Sequence, residues 1–349
     1  MSLGKKLIFS AVTVALFFII AEGIARVFIP PLDTRRFQEH EQIIRTLGLP
    51  ALGRTMVSDP LLFWSLKPGM KGDVVEGRIL GSEIRFTVST NRHGLRGPEI
   101  PSPKAGVRVL ALGDSTAFGL GVDDDQTWPA VLQGLLRERV GRPVEVINAG
   151  VPGYTAYQGM RYLEERGLSL DPDLVIATFG FNDADSWSSR SDYQMAWLLT
   201  FRRWERPLLY SRLYSGAKLL VGRNEPPIYW RMKRPRLSPE EFSETLSRIQ
   251  RICASQHVPL VLVIWPYAGQ KVSGNQRFIN YQPLIQSFAA RRNLPVVDLV
   301  ERFARIAEPL FLDHVHANAA GNRAAAEAIL PICEDQIEKV TGKAEGLPP

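Results

Sequence analysis

The chain has 349 residues, of which 45% are hydrophobic and 22% charged, so it is long enough for one large folded domain or two smaller ones. Its formal net charge is only +6. Such a small excess of basic residues does not indicate nucleic-acid binding, and the sequence has neither zinc-finger spacing nor an RNA-binding aromatic pattern. We therefore expect no nucleic-acid partner.

The N-terminal segment is apolar from Leu7 to Ile29 and is interrupted there only by Glu22 and Arg26. Its length suits a transmembrane helix, and we expect residues 1–30 to be an uncleaved membrane anchor. A cleaved signal peptide is an alternative, because the small residues of Gly23–Ala25 fit a cleavage site, and a buried helix is another. Two lysines precede the segment and favour a cytoplasmic N-terminus, which would place the body of the protein outside the cytoplasm.

Residues 31–106 predict a polar stem followed by a small β-rich extension. The stretches FWSLKPG (63–69) and IRFTVS (84–89) alternate apolar and polar side chains with the period of half-buried strands. The stretch NRHGLRGPEIPSPKAG (91–106) is rich in Gly and Pro, which is typical of a loop. We place a domain boundary at this loop.

Residues 107–341 predict a second, larger domain in which strands and helices alternate. The strand candidates in this part of the chain are nearly continuous apolar runs, which are typical of strands buried on both faces. Five strands separated by helices predict an α/β fold with a five-stranded parallel sheet between two helical layers. The predicted strands are 107–112, 144–148, 174–179, 259–265 and 295–299, and the predicted helices are 127–139, 155–166, 239–256, 281–292 and 318–340.

An insertion at residues 185–236 interrupts this alternation. Between residues 196 and 236 it is aromatic and strongly basic, with ten Lys or Arg against two Asp or Glu. One interpretation is a helical lid whose cations are solvated. The other is a patch that lies against anionic lipid headgroups or forms a groove for an anionic polymer.

Several common motifs are absent. The chain has no P-loop and no GxGxxG motif, and Ala117 stands where a GxSxG elbow needs its second glycine. The two cysteines, Cys253 and Cys333, form no Cys-x-x-Cys pair. Both lie in helical patterns, which fits buried thiols or, in an oxidising compartment, one disulfide.

A serine stands at the end of the first predicted strand of the sheet, in VLALGDSTAFG (109–119). As a nucleophile, Ser115 needs a base, and Asp313 precedes His316 by three residues in the loop before the last helix. The carboxylate can orient the imidazole there, and the imidazole can take the serine proton. A metal site that includes His314 is an alternative, but no further cluster of metal ligands accompanies it, so we expect no metal and no cofactor.

An acyl-transfer site also needs hydrogen-bond donors for an oxyanion. The candidates are the backbone N–H of Ser115, the backbone N–H of Gly150 in NAGVPG, and the side-chain amide of Asn182 in GFND. Each of the three follows a different predicted strand. Because carboxyl ends of parallel strands share one edge of a sheet, we expect these groups to lie together.

Four short stretches resemble, in this order, the four motifs of the SGNH/GDSL hydrolase superfamily. They are GDS (113–115), NAGVPG (148–153), GFND (180–183) and DHVHANAAG (313–321). The resemblance implies a flavodoxin-like three-layer fold and a serine ester hydrolase. It also implies roles for individual residues, with Gly113, Asp114 and Asp183 as supporting motif residues, Ser115 as nucleophile, His316 as base, Asp313 as orienting acid, and Ser115, Gly150 and Asn182 as the oxyanion hole.

The stretch Asn91–Gly97, N-x-x-G-x-R-G, ahead of the serine block resembles the layout of membrane-anchored bacterial members of this superfamily. We therefore expect a membrane-tethered esterase that removes or transfers acyl groups, above all O-acetyl, on an extracytoplasmic ester or acylated glycan. The N-terminal helix and residues 196–236 would contact the membrane. A glycan O-acyltransferase, a lipid-acting esterase and a non-catalytic envelope binding protein are the alternatives.

Overall fold

The N-terminal part of the chain is helical in the computed structural model, which describes residues 2–29, 34–79, 82–186, 190–199, 205, 208, 211–222, 234–269 and 281–345. Helix α1 (Leu3–Phe28) is followed by α2 (Thr34–Thr46) and the short α3 (Pro50–Gly53). An 18-residue window of α1 has a mean hydropathy of 2.4 and no buried residue. By length and composition α1 is able either to cross a membrane or to serve as a signal sequence.

The extension contains two separate antiparallel pairs of strands. Strand β1 (Met56–Asp59) pairs with β2 (Phe63–Leu66), and β3 (Asp73–Ile79) pairs with β4 (Ser82–Val88). The two predicted strands coincide with β2 and β4. Their partners, β1 and β3, were not predicted. Strand β3 carries acidic and basic side chains on its exposed face and a glycine in its middle, and β1 has only four residues.

A five-stranded parallel sheet forms the centre of the molecule. In chain order its strands are β5 (Val107–Gly113), β6 (Val144–Gly150), β7 (Leu174–Thr178), β8 (Leu260–Ile264) and β9 (Val296–Asp298). They lie side by side in the order β6-β5-β7-β8-β9, all parallel. This is the flavodoxin-like order, in which the strand order reverses beside β5 and leaves a crevice at the carboxyl end of that strand.

Helices cover both faces of the sheet, as the alternation of strands and helices predicted. Residues of β5 point alternately to the two sides: Leu110 and Leu112 join one hydrophobic cluster, and Val109 and Ala111 join the other. The helices that follow β4 are α4 (Ser115–Phe118), α5 (Trp128–Val140), α6 (Ala156–Tyr162), α7 (Phe181–Ala184), α8 (Asp192–Leu199), α9 (Arg212–Gly222), α10 (Pro239–Ser255), α11 (Gln282–Arg292), α12 (Leu299–Ala304) and α13 (Ala319–Glu345).

The extension shares its core with one face of the sheet. Trp64 of β2 and Phe86 of β4 belong to the same cluster as Leu110 and as residues of α6, α10 and α11. Helices α5, α12 and α13 cover the opposite face. The hydrophobic core therefore continues across the predicted boundary at residue 106, and the division of the chain into domains at this point remains a prediction.

The structure describes only part of the basic insertion. Of its cations, Arg236 is fully buried and pairs with Asp192, while Lys218 contacts Glu205 at 3.0 Å. These two cations serve the fold and do not belong to a solvated patch. Residues 200–204 and 223–233, which carry much of the predicted basic surface, lie outside the described residues.

The two cysteines are separate buried thiols. Cys253 of α10 and Cys333 of α13 belong to the two different hydrophobic clusters, one on each face of the sheet. The structure thus contains no disulfide between them. Burial raises the pKa of the Cys253 thiol to about 12, which makes this side chain unreactive at neutral pH.

Candidate active site

The turn that carries Ser115 joins the end of β5 to α4. Asp114 is the N-cap of α4, and its Oδ1 accepts hydrogen bonds from the backbone N–H and the hydroxyl of Thr116, both at 2.8 Å. A Cβ on Gly113 would lie 2.6 Å from the Cβ of Ala117, so only glycine fits here. These local contacts place Ser115 as the first residue of α4, at the carboxyl edge of the sheet.

Ser115, His316 and Asp313 form a continuous hydrogen-bonded chain. The Oγ of Ser115 lies 2.8 Å from Nε2 of His316, and Nδ1 of His316 lies 2.6 Å from Oδ2 of Asp313. His314, by contrast, packs its ring at 5.4 Å from that of Phe181. Of the two histidines in the loop, it is therefore His316 that reaches the serine.

The loop before α13 fixes the carboxylate of Asp313. Its Oδ1 accepts the backbone N–H groups of Val315 and His316 at 2.8 and 2.7 Å. Burial by itself raises the pKa of Asp313, but the hydrogen bonds from His316 and Val315 outweigh it and bring the pKa down to about 2. Asp313 is thus an anion at neutral pH, held beside the imidazole by its own loop.

Two further carboxyl groups lie buried behind the serine turn. Burial raises the pKa of Asp114, and hydrogen bonds from Thr116 oppose this effect. Burial likewise raises the pKa of Asp183 to about 7, against the hydrogen bonds that its oxygens accept from Ala156 and Gly180 at 2.8 Å. Asp183 therefore ties α7 to the start of α6, which supports the loops around the site.

The backbone N–H of Gly150, an expected oxyanion donor, is already engaged in the structure. It donates to Oδ1 of Asn148 at 3.0 Å, so this group already has an acceptor. A Cβ at this position would lie 2.2 Å from the backbone nitrogen of Phe118. Gly150 therefore allows α4 to pack closely against β6, and it does not offer a free donor to a substrate.

Gly153, three residues further along, was missed by the sequence analysis. It lies in the loop between β6 and α6 with a φ of 78°, and its N–H donates no hydrogen bond within the described part of the chain. The N–H of Ser115 is similarly unengaged among the described residues, as expected at the start of a helix. The sequence signal was present in NAGVPG, where a second glycine follows the first at a position that needs a left-handed backbone.

Asn182 lies between these two loops. Its Nδ2 donates to Oδ2 of Asp114 and to the carbonyl oxygen of Tyr154, each at 3.1 Å. The side-chain amide therefore connects the serine turn to the loop that contains Gly153. Both of its hydrogens already have acceptors, so bonding to an oxyanion would require one of them to be shared.

A parallel α/β sheet with Ser, His and Asp in hydrogen-bond contact at its carboxyl edge is the arrangement of an α/β serine hydrolase. The chain belongs to the GDSL-like lipase/acylhydrolase family, whose model matches residues 111–324.

The chain is similar to two curated esterases. It is 28% identical to the esterase TesA of Pseudomonas aeruginosa over 187 residues, which is 53% of this chain and 83% of that protein. It is 35% identical to an arylesterase of Vibrio mimicus over 80 residues, a match that spans only 40% of the arylesterase and 23% of this chain. With the family match, these relatives make the protein an ester hydrolase, and the non-catalytic alternative falls away.

Solved structures with related folds include a lipase/acylhydrolase from Enterococcus faecalis, with 21% identity and a TM-score of 0.44. That match covers 66% of this chain and 96% of the other. An acetyl xylan esterase, AlAXEase, has 18% identity and the same TM-score, over 65% of this chain and 99% of its own.

Proposed function

We propose that Ser115, His316 and Asp313 form the catalytic triad of this ester hydrolase. His316 takes the hydroxyl proton through Nε2 as Oγ attacks the ester carbonyl carbon, and the Asp313 carboxylate stabilises the imidazolium that forms. The tetrahedral intermediate then breaks the bond to the alcohol oxygen, which receives the proton from His316. Water attacks the resulting acyl-enzyme by the same route and releases the acid.

The single observation that carries this proposal is the 2.8 Å contact between the Ser115 hydroxyl and His316 Nε2. Separate elements supply the two side chains, since Ser115 begins α4 and His316 lies in the loop before α13. A serine that only capped a helix would need no imidazole at hydrogen-bond distance. A base held by its own carboxylate is what a serine nucleophile requires.

For the oxyanion hole we propose the N–H of Ser115, the N–H of Gly153 and the amide of Asn182. The N–H groups of Ser115 and Gly153 have no acceptor among the described residues, and Asn182 bonds to Asp114, the neighbour of Ser115. Gly153 takes the place that the sequence analysis gave to Gly150. A donor of this kind contributes about 10²- to 10³-fold to kcat.

The substrate that we propose is a short acyl ester, above all an O-acetyl group. A small cavity lies beside the serine turn in the described part of the chain, and it offers no room there for a long acyl chain. Ser115 and His316 are not part of its wall. Its wall includes Asp114, Thr116, Phe181, Trp265 and Tyr267. As carrier of the acetyl group we propose a glycan, because the aromatic side chains of Phe181 and Tyr267 lie close to the serine turn. Transfer to a sugar hydroxyl instead of water would use the same triad.

We also propose that α1 is a retained anchor and that the body lies outside the cytoplasm. Glu22 of α1 accepts hydrogen bonds from the Ser211 hydroxyl at 2.9 Å and from the backbone N–H groups of Arg212 and Leu213 at 2.8 and 3.2 Å. It thereby caps the N-terminus of α9. Cleavage after Ala25 would remove this cap, which favours an anchor over a signal peptide.

The test of the proposed mechanism is Ser115→Ala. We expect the variant to lose at least about 10³-fold in kcat towards p-nitrophenyl acetate and to lose labelling by a fluorophosphonate probe, because the nucleophile is gone. The matched control is Ser247→Ala in α10, which removes another buried serine hydroxyl far along the chain from the triad. A Ser115→Ala protein that still turns over the ester would refute the mechanism.

A further inference from the structure

Three consecutive carbonyl groups of the loop between β6 and α6 are held by side chains from elsewhere in the chain. Trp64 donates its indole N–H to Pro152 at 3.0 Å, Arg236 donates to Gly153 at 2.5 Å, and Asn182 donates to Tyr154 at 3.1 Å. The loop therefore has little freedom to rotate its peptide groups.

The contact from Trp64 has a direct consequence for Gly153. The carbonyl of Pro152 and the N–H of Gly153 belong to the same peptide group. In a planar trans peptide these two bonds point in opposite directions. Holding the Pro152 oxygen from one side therefore fixes where the Gly153 N–H points on the other side.

Trp64 itself is fixed on several sides. Its ring stacks on that of His40, with centroids 3.9 Å apart and planes 9° apart, and the Arg236 guanidinium lies 5.6 Å from its centroid. Its carbonyl oxygen accepts the Tyr154 hydroxyl at 2.7 Å. The side chain is fully buried. Trp64 is thus a rigid donor whose position is set by both the extension and the loop.

The geometry points to Trp64 as a positioning residue for catalysis: the extension before the hydrolase domain orients the Gly153 N–H towards the oxyanion. This inference rests on the proposed function, since it needs Ser115 as the nucleophile and Gly153 as a donor. Trp64 lies outside residues 111–324, which the family model matches. The extension therefore completes the oxyanion hole as well as packing against the sheet.

The test is Trp64→Phe in the detergent-solubilised full chain. Phenylalanine keeps a ring beside His40 but removes the donor to Pro152. We expect kcat for p-nitrophenyl acetate to fall about 10-fold with KM within about twofold, since a misdirected donor weakens only the transition state. The pH profile of kcat should keep its shape, because the contact between Ser115 and His316 is untouched.

The matched control is Trp128→Phe. Trp128 is also fully buried, but it lies in the cluster on the opposite face of the sheet, and its indole nitrogen has no partner among the described residues. This variant loses the same volume without losing a hydrogen bond to the loop. We expect its kcat to stay within about twofold of the wild type, which separates positioning from a general effect of core packing.

Tyr154→Phe is the second variant, for the case in which Trp64→Phe does not fold. It removes only the hydroxyl that holds the Trp64 carbonyl, and we expect a smaller fall in kcat, again without a change in KM. The inference is overturned if Trp64→Phe folds and keeps the wild-type kcat, or if Trp128→Phe lowers kcat by as much as Trp64→Phe does. In either case an inactive Ser115→Ala shows that the catalytic mechanism itself still holds. If Trp64→Phe does not fold, an unchanged kcat in Tyr154→Phe overturns the inference about Trp64. An active Ser115→Ala overturns both this inference and the proposed mechanism.

Discussion

At the scale of single residues, the loop before α13 gives one carboxylate two tasks. Oδ1 of Asp313 holds the backbone of the loop through Val315 and His316, and Oδ2 holds Nδ1 of the imidazole. The backbone contacts fix the carboxylate, and the carboxylate fixes the ring. Because the pKa of Asp313 is about 2, the group is ionised at any pH near neutrality.

Asp313→Asn separates these tasks. The amide can still accept the backbone N–H groups, but it carries no charge to stabilise an imidazolium and favours the wrong tautomer. We expect kcat for p-nitrophenyl acetate to fall about 10³- to 10⁴-fold with little change in KM. The control is Asp298→Asn, since Asp298 accepts the N–H of Val300 two residues on, as Asp313 does with Val315, but lies at the start of α12. Equal losses in the two variants would contradict the role of the charge.

At the scale of elements, the sequence was most informative where burial imposes a pattern. The five strands of the sheet are largely apolar, and all five were predicted. The five predicted helices match α5, α6, α10, α11 and α13 to within about five residues, and α6 gives way early to a π-helical turn at Leu163–Gly167. The other helices that follow β4 were not predicted. Gly150 and Gly153 could not be told apart in this way. Which N–H is free depends on the side chain of Asn148 and on a left-handed φ at Gly153, and neither follows from hydrophobic periodicity.

Helix α4 shows how an element too short to be stable alone is held. It has four residues, fewer than an isolated helix needs. Arg96, from the loop after β4, donates to the carbonyl groups of Phe118, Gly119 and Val122 at 2.7 to 2.8 Å and to Asp124 at 2.9 Å. Its guanidinium therefore holds the carboxyl end of the helix whose first residue is the serine.

Arg96→Gln removes this support. Four carbonyl groups, the three named above and that of Thr87, lose a charged donor, and Asp124 loses its ion-pair partner. We therefore expect the free energy of unfolding in urea to fall by about 3 kcal/mol. Arg92→Gln is the control, because the Arg92 side chain is 62% exposed and its change should cost less than about 0.5 kcal/mol. Equal unfolding midpoints for the two variants would show that Arg96 does not support α4.

At the scale of the whole molecule, segments that are distant in sequence hold the loops around Ser115. The extension supplies Trp64 and Arg96, the insertion supplies Arg236 and Asp192, and the sheet supplies Ser115. The sequence predicts where these segments lie along the chain but could not show that they meet around the serine turn, because long-range contacts leave no local pattern. The extension and the insertion thus hold the loops beside the proposed nucleophile.

Helix α1 takes part in this organisation through Glu22, whose carboxylate caps α9 of the insertion. If α1 is retained, Glu22→Ala leaves two backbone N–H groups without this acceptor, which costs about 1 kcal/mol. We expect amide hydrogen exchange in residues 212–222 of the detergent-solubilised protein to become about fivefold faster. Glu41→Ala is the control, since Glu41 of α2 forms its ion pair with Arg45 within its own helix. If the mature protein instead begins after Ala25, its intact mass will lack residues 1–25 and Glu22→Ala will leave the exchange rates unchanged, which would exclude the retained anchor.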